Sequence, residues 1–152
     1  MRRIQIVIDT NVFLSALRSD KGASFLLLML VGQSNLFDFC LSVPLVLEYE
    51  DVAKRPGLVP LLSTQVIDNI LDYLCSAACL RTIFFLWRPL LKDPKDDMVL
   101  ELTVEAQCDY IVTFNRKDFV GSDRFGVTVV TPQEFLRKIG AIPNHHPDEE
   151  KN

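Results

Sequence analysis

Asp9 closes the β-branched run Ile4-Gln5-Ile6-Val7-Ile8 and is followed by two small polar residues, Thr10 and Asn11. Such a run predicts a buried strand that delivers a carboxylate to its carboxyl end, the edge where open α/β sheets bind ligands. More acids stand where strands end or helices begin: Asp93, Asp96 and Asp97 ahead of a helical pattern, and Asp118 after Tyr110-Ile111-Val112. Glu48 adds a carboxylate within a helical stretch, between Leu45 at i−3 and Val52 at i+4, at the edge of the apolar face. Like charges gathered within a few ångströms raise one another's pKa, so acids at one sheet edge call for a cation. Oxygen donors without Cys or His beside them select Mg²⁺ or Mn²⁺ over zinc.

Each acid also has a plainer reading. Asp93, Pro94 and Asp96 fit the N-cap, N1 and N3 positions of a helix, so capping and the macrodipole account for both carboxylates. A carboxylate at a stripe edge, such as Glu48, is often simply solvated. Asp118 can cap the turn before Phe119. Asp97 is less easily explained by capping.

The elements that must position these acids follow from periodicity. Val12, Phe13, Ala16 and Leu17 recur at helical spacing until Asp20-Lys21-Gly22 breaks the pattern. A very apolar helix over 23–31 ends at Gly32, a strand spans 37–41, and Ser42 with Pro44 opens a third helix running to about residue 54. After Arg55-Pro56-Gly57, residues 63–78 carry the stripe Val66, Ile67, Ile70, Leu71 and Leu74. Residues 80–85 read as a strand, 96–107 as a helix, 110–112 and 127–130 as strands, and 132–139 as a final helix. This alternation predicts a Rossmann-like, three-layer α/β/α sandwich around a central, mostly parallel five-stranded sheet with right-handed crossovers.

Composition bounds the class. A chain of 152 residues, 49% hydrophobic, suits one domain over residues 1–142, with a polar, proline-punctuated and disordered tail over 143–152. Its longest apolar run, residues 25–31, is seven residues against the ~20 that span a bilayer. No signal sequence opens it, so the expected location is the cytoplasm. Cys40, Cys75, Cys79 and Cys108 lie in apolar segments and read as buried thiols; Cys75 and Cys79 share a helix face at i,i+4, but two thiolates alone make a poor metal site. The formal net charge of −4 shows none of the basic excess that drives non-specific nucleic-acid binding.

At this point the residues carry a family resemblance. Ile-Val-Ile-Asp9-Thr10-Asn11, Glu48 in Leu-Glu-Tyr-Glu, Asp93-Pro-Lys-Asp-Asp97, and Asp109-Tyr-Ile-Val-Thr113-Phe-Asn115-Arg-Lys-Asp118-Phe together resemble PIN-domain ribonucleases, most closely the toxin subgroup of bacterial toxin–antitoxin systems. The likeness spans residues 4–135 in order, which makes it far more specific than an isolated Asp-Thr-Asn.

The resemblance implies a PIN-like fold and a Mg²⁺- or Mn²⁺-dependent endoribonuclease that cleaves single-stranded RNA, leaving 5′-phosphate and 3′-hydroxyl ends. It implies Asp9, Glu48 and Asp97 as metal ligands, the last twelve residues before Asp109. Asp96 becomes a neighbour or cap, and Thr10, Asn11 and Thr113 polar supports. The family's fourth acid falls at Asn115, which brings no charge, so Asp118 is the candidate to replace it. Arg2, Arg3, Lys92, Lys95, Arg116 and Lys117 are candidates to hold the RNA backbone, or else ordinary solvated surface. Family habit also implies a small antitoxin partner and a homodimer, with residues 25–31 and 83–87 as apolar candidate surfaces whose plainer use is core packing.

Other readings fit less well. A phosphatase of the haloacid dehalogenase type needs a second Asp two residues after the first, and Asn11 occupies that position. A receiver domain needs its acceptor Asp on a middle strand and a lysine after a late one. The rival from a different class is a PIN-like module that has lost activity and binds RNA or protein; Asn115 favours it, and Asp9, Glu48 and Asp97 count against it.

Overall fold

The computed structural model describes residues 2–81 and 94–143, and the side chains of all of these except 80–81 and 94–97. Asp93, Lys92, the apolar segment 83–87 and the tail beyond 143 lie outside the described residues, as do the side chains of Lys95, Asp96 and Asp97.

Among the described residues five strands form the sheet: β1 (Ile4–Ile8), β2 (Phe37–Ser42), β3 (Cys79–Arg81), β4 (Tyr110–Val112) and β5 (Thr128–Val130). Their order is β3-β2-β1-β4-β5, and every pairing is parallel. Ile6 stands beside Phe39 on one side and Tyr110 on the other, so β1 is the central strand, and Ile6, Val7 and Ile8 are buried. Among the described residues six α-helices flank the sheet: α1 (Thr10–Arg18), α2 (Ala23–Leu30), α3 (Val43–Ala53), α4 (Thr64–Ala77), α5 (Pro94–Glu105) and α6 (Pro132–Lys138). The expected α/β sandwich is present.

Strand order explains why one edge matters. From β1 the chain steps outward through β2 to β3, then returns to lay β4 against the other side of β1. With right-handed crossovers, the two excursions put their helices on opposite faces, and a crevice opens between β1 and β4 where they diverge. Asp9 and Thr113 follow the last residues of those two strands.

Helix starts are set by side-chain caps. Ser42 Oγ accepts from Leu45 N at 3.3 Å to open α3, Ser63 Oγ from Val66 N at 3.2 Å to open α4, and Thr131 Oγ1 from Glu134 N at 3.2 Å to open α6. Buried Leu45, Tyr49 and Ala53 form the inward stripe of α3. Phe135 of α6 packs edge-on against Phe37 at 5.3 Å and Tyr110 at 5.8 Å, tying the last helix to β2 and β4. Helix α5 closes with Gln107 at φ 54°, the left-handed turn that lets Cys108 N reach Thr103 O at 2.8 Å.

Two expectations are corrected. The helix over 63–78 stops at Ala77, because Ala78 is already extended and Cys79 opens β3 beside Cys40. Cys75 and Cys79 therefore share no helix face; Cys40 and Cys108 are buried as expected, Cys75 and Cys79 only partly, and none of the four is in a disulfide. The strand expected over 80–85 begins one residue earlier, and its continuation past Arg81 lies outside the described residues. Among the described residues no helix is long and apolar enough to cross a membrane.

Candidate active site

Asp9 is the N-cap of α1 and only 7% exposed. Its Oδ1 accepts from the Thr10 backbone N–H at 2.8 Å, and its Oδ2 accepts from the Thr113 hydroxyl at 2.8 Å. Each oxygen is thus fixed by one donor and keeps a second lone pair for another partner. Asp9 N donates to Val112 O at 2.9 Å, so the backbone as well as the carboxylate is tied to β4.

Thr113, fully buried, organises the rest. Its single hydroxyl proton goes to Asp9, while its oxygen accepts from Asn11 Nδ2 at 3.2 Å and from the Asn115 N–H at 3.1 Å. Asn11 Oδ1 accepts from the Phe114 N–H at 3.4 Å. The Thr10 N–H and the Thr113 hydroxyl therefore hold Asp9, and Asn11 bridges the two strand ends through Thr113 and Phe114. Asn115 N-caps a short 3₁₀ turn, Arg116–Phe119, and its carbonyl accepts from Asp118 N at 3.1 Å. Phe119, 2% exposed, anchors that turn in the core.

Burial pushes the Asp9 carboxyl above the usual Asp range; the hydrogen bonds from Thr113 and Thr10 pull it down, and the charges of Asp118 and then Glu48 push it up again. Asp118 and Glu48 are thus electrostatic neighbours of Asp9, though they come from a 3₁₀ turn and from α3. Glu48 owes its placement to the next residue. Tyr49 is fully buried, stacks on Phe13 at 4.4 Å, and donates its hydroxyl to the Ile8 carbonyl. Burial, and then the charge of Asp9, push the Tyr49 hydroxyl well above the usual phenol range, so it remains a donor.

Helix α5 connects parallel strands and must run back against them, so its first turn, with Asp96 and Asp97, enters from the carboxyl edge of the sheet. Among the described residues no three Asp, Glu, His or Cys side chains form a metal-holding group. The donors that gather at this edge are all carboxylates, which matches hard divalent cations.

The basic candidates separate. Arg116 is ion-paired with Glu134, and Lys117 is exposed beside it. Arg2 and Arg3 are not near the site: they precede β1, at the opposite edge of the sheet, where Arg2 pairs with Asp109 at 3.4 Å and Arg3 with Asp38 at 3.1 Å. The length of β1 sets that edge ~15 Å from Asp9. Sequence reasoning passed over Glu101, a carboxylate only 5% exposed and one helical turn beyond Asp97; the i,i+4 spacing was its signal. It also passed over Tyr49, which the stripe Leu45, Tyr49, Ala53 assigns merely to the core.

A parallel α/β sandwich with a buried aspartate at its switch point defines the class, and comparison with known proteins narrows it. The PIN domain family matches residues 5–117. The chain therefore belongs to the PIN-domain family. Among solved structures, it is similar to VapBC2 from Rickettsia felis, solved bound to a DNA fragment from their promoter, with a TM-score of 0.56 and 13% identity over 83% of this chain and 98% of that one. At that identity the likeness is one of fold. No curated protein matches the chain in sequence.

Proposed function

We propose that this PIN-domain chain is a Mg²⁺- or Mn²⁺-dependent endoribonuclease acting on single-stranded RNA, and the toxin of a type II toxin–antitoxin pair. The observation that carries this reading is Asp9: a buried carboxylate clamped on both oxygens and crowded by the charges of Asp118 and Glu48. A carboxylate so placed is costly when charged, and a cation offsets that cost.

In this reading Asp9, Glu48 and Asp97 hold the ion, and Asp118 supplies the charge that Asn115 lacks. A divalent ion held by these carboxylates would supply an acidified water and charge to offset the phosphate oxygens. The chain's own residues do the rest. Thr113 and Thr10 fix the lone pairs of Asp9 so that no reorganisation is needed on binding. The Asn115 amide is free of charge and suits a phosphate oxygen. Lys117, with Arg116 and Lys95, holds the RNA backbone against the acidity of the site.

An antitoxin partner and a homodimeric state belong to the same reading. Helices α1, α2 and α4 border a groove of about 780 Å³, lined by Leu17, Phe25, Leu28, Met29 and Ile70 among others, and Met29 is 52% exposed. Part of the apolar segment 25–31 is thus accessible, while Leu27 and Val31 are core.

The test is cleavage of an end-labelled single-stranded RNA. Cleavage with Mg²⁺ or Mn²⁺ that EDTA and Asp9→Asn both abolish supports the reading. RNA binding without metal-dependent cleavage would instead support the inactive module that Asn115 suggests.

A further inference from the structure

Phe114 sits between Thr113, whose hydroxyl holds Asp9, and Asn115, and its side chain is left open to solvent. Residue exposure is 49%, whereas Ile111, Val112 and Thr113 before it are fully buried. The same segment buries an aromatic ring where it can: Phe119, five residues on, is 2% exposed. Phe114 is not loosely held. Its N–H is bonded to Asn11, and the N–H of the next residue is bonded to Thr113, so the backbone on both sides is tied to the groups that hold Asp9. Arg116 and the exposed Lys117 follow on the adjoining turn.

We propose that Phe114 is a stacking platform for one nucleobase of single-stranded RNA beside the scissile phosphate. The inference rests on the nuclease reading above and deepens it by naming how the substrate is held. A nucleotide offers a π-face and a phosphate, and this edge offers a rigidly based aromatic ring with cations on the next turn. Stacking of a base on an exposed ring is tolerant of sequence and open only to unpaired bases, because duplex bases are already stacked on each other. Phe114 therefore selects single strands over duplexes, while Asp9 and its acidic partners act on the backbone next to it. Lys117 supplies attraction that does not depend on the base.

Phe114→Ala tests this at a half-exposed position, with a melting curve to confirm that the variant is folded. With a fluorescent single-stranded oligoribonucleotide, the expected result is a KM raised about tenfold with kcat little changed, and restoration by Phe114→Trp. Placing an abasic nucleotide at the cleavage site should remove the difference between the wild type and Phe114→Ala. Anisotropy with the same oligoribonucleotide in EDTA reads the stack without cleavage and should show the same loss. Equal affinity of wild type and Phe114→Ala, or a loss that persists unchanged on the abasic strand, would overturn the stacking role. Absence of metal-dependent cleavage alongside a Phe114-dependent affinity would overturn the nuclease reading and leave the stack standing.

Discussion

The Tyr49 hydroxyl donates to the carbonyl of Ile8, the residue immediately before Asp9. One side chain on α3 thereby grips the last strand residue before the central acid, while its neighbour Glu48 adds charge to the same place. The geometry of two acids from different elements is fixed through a bond that neither of them makes.

Tyr49→Phe keeps the ring and its stack on Phe13 but strips a buried carbonyl of this partner. The expected cost is about 1–3 kcal/mol of stability, read from urea unfolding midpoints. Mn²⁺ affinity should fall as well, because α3 loses its fixed rotation relative to β1. A variant as stable as the wild type would show that the bond contributes nothing net.

Thr113→Val removes the donor to Asp9 and the acceptor for Asn11 and Asn115 at a volume close to the original. Loss of a supporting partner of this kind lowers metal affinity or activity by about 10- to 100-fold. Thr113→Ser keeps the hydroxyl and should retain most of both. Calorimetric titration with Mn²⁺ measures the series.

The raised pKa of Asp9 fixes the sign of its pH dependence. A folded-state carboxyl that holds its proton more tightly than the unfolded one stabilises the fold below the ordinary Asp pKa, and that contribution is lost as pH rises through the raised folded value. Metal-free protein should therefore gain thermal stability from Asp9→Asn near neutral pH and little at acid pH. Mn²⁺ should reverse the order near neutrality, since only the aspartate is a strong ligand. Melting curves at two pH values, with and without Mn²⁺, give all of the comparisons.

Asp118 and Asn115 are open to an exchange of charge. Asp118→Asn should lower the proton affinity of Asp9, because the larger of its two like-charge neighbours is gone, and reduce Mn²⁺-dependent cleavage. Asn115→Asp adds a carboxylate at the position where the family usually has one and should strengthen Mn²⁺ binding. Unchanged cleavage in Asp118→Asn would remove that residue from the site.

Much of this was legible in the residues. A β-branched run ending in an acid, Ser and Thr caps, and the alternation of strands with helices depend on local chemistry, and they led to the sheet and to Asp9 at its edge, whereas Thr10, Asn11 and Thr113 were singled out by the family resemblance. What failed depended on non-local placement. Arg2 and Arg3 are the exception: they precede the strand that Asp9 follows, so the order of residues already placed them at its opposite end. Cys75 and Cys79 match a helical spacing, yet Cys79 pairs with Cys40 across a sheet, and that competition is invisible to a helical wheel. Tyr49, between Glu48 and Glu50, and Phe114, between Thr113 and Asn115, look alike as aromatic residues among polar neighbours; burial makes one a clamp and the other an open ring. For Asp97 the helix spacing was readable, and α5 confirms the helix while its side chain lies outside the described residues.

The return of the chain to place β4 beside β1 has a bearing on synthesis. Asp9 and Thr113 are 104 residues apart, and the bond between them cannot form until the later strand has left the ribosome and docked. Nascent chains that carry the first aspartate, the α3 glutamate and most of the sheet still lack the hydroxyl that orients the aspartate. The order in which the residues are made thus keeps the site incomplete until most of the protein exists.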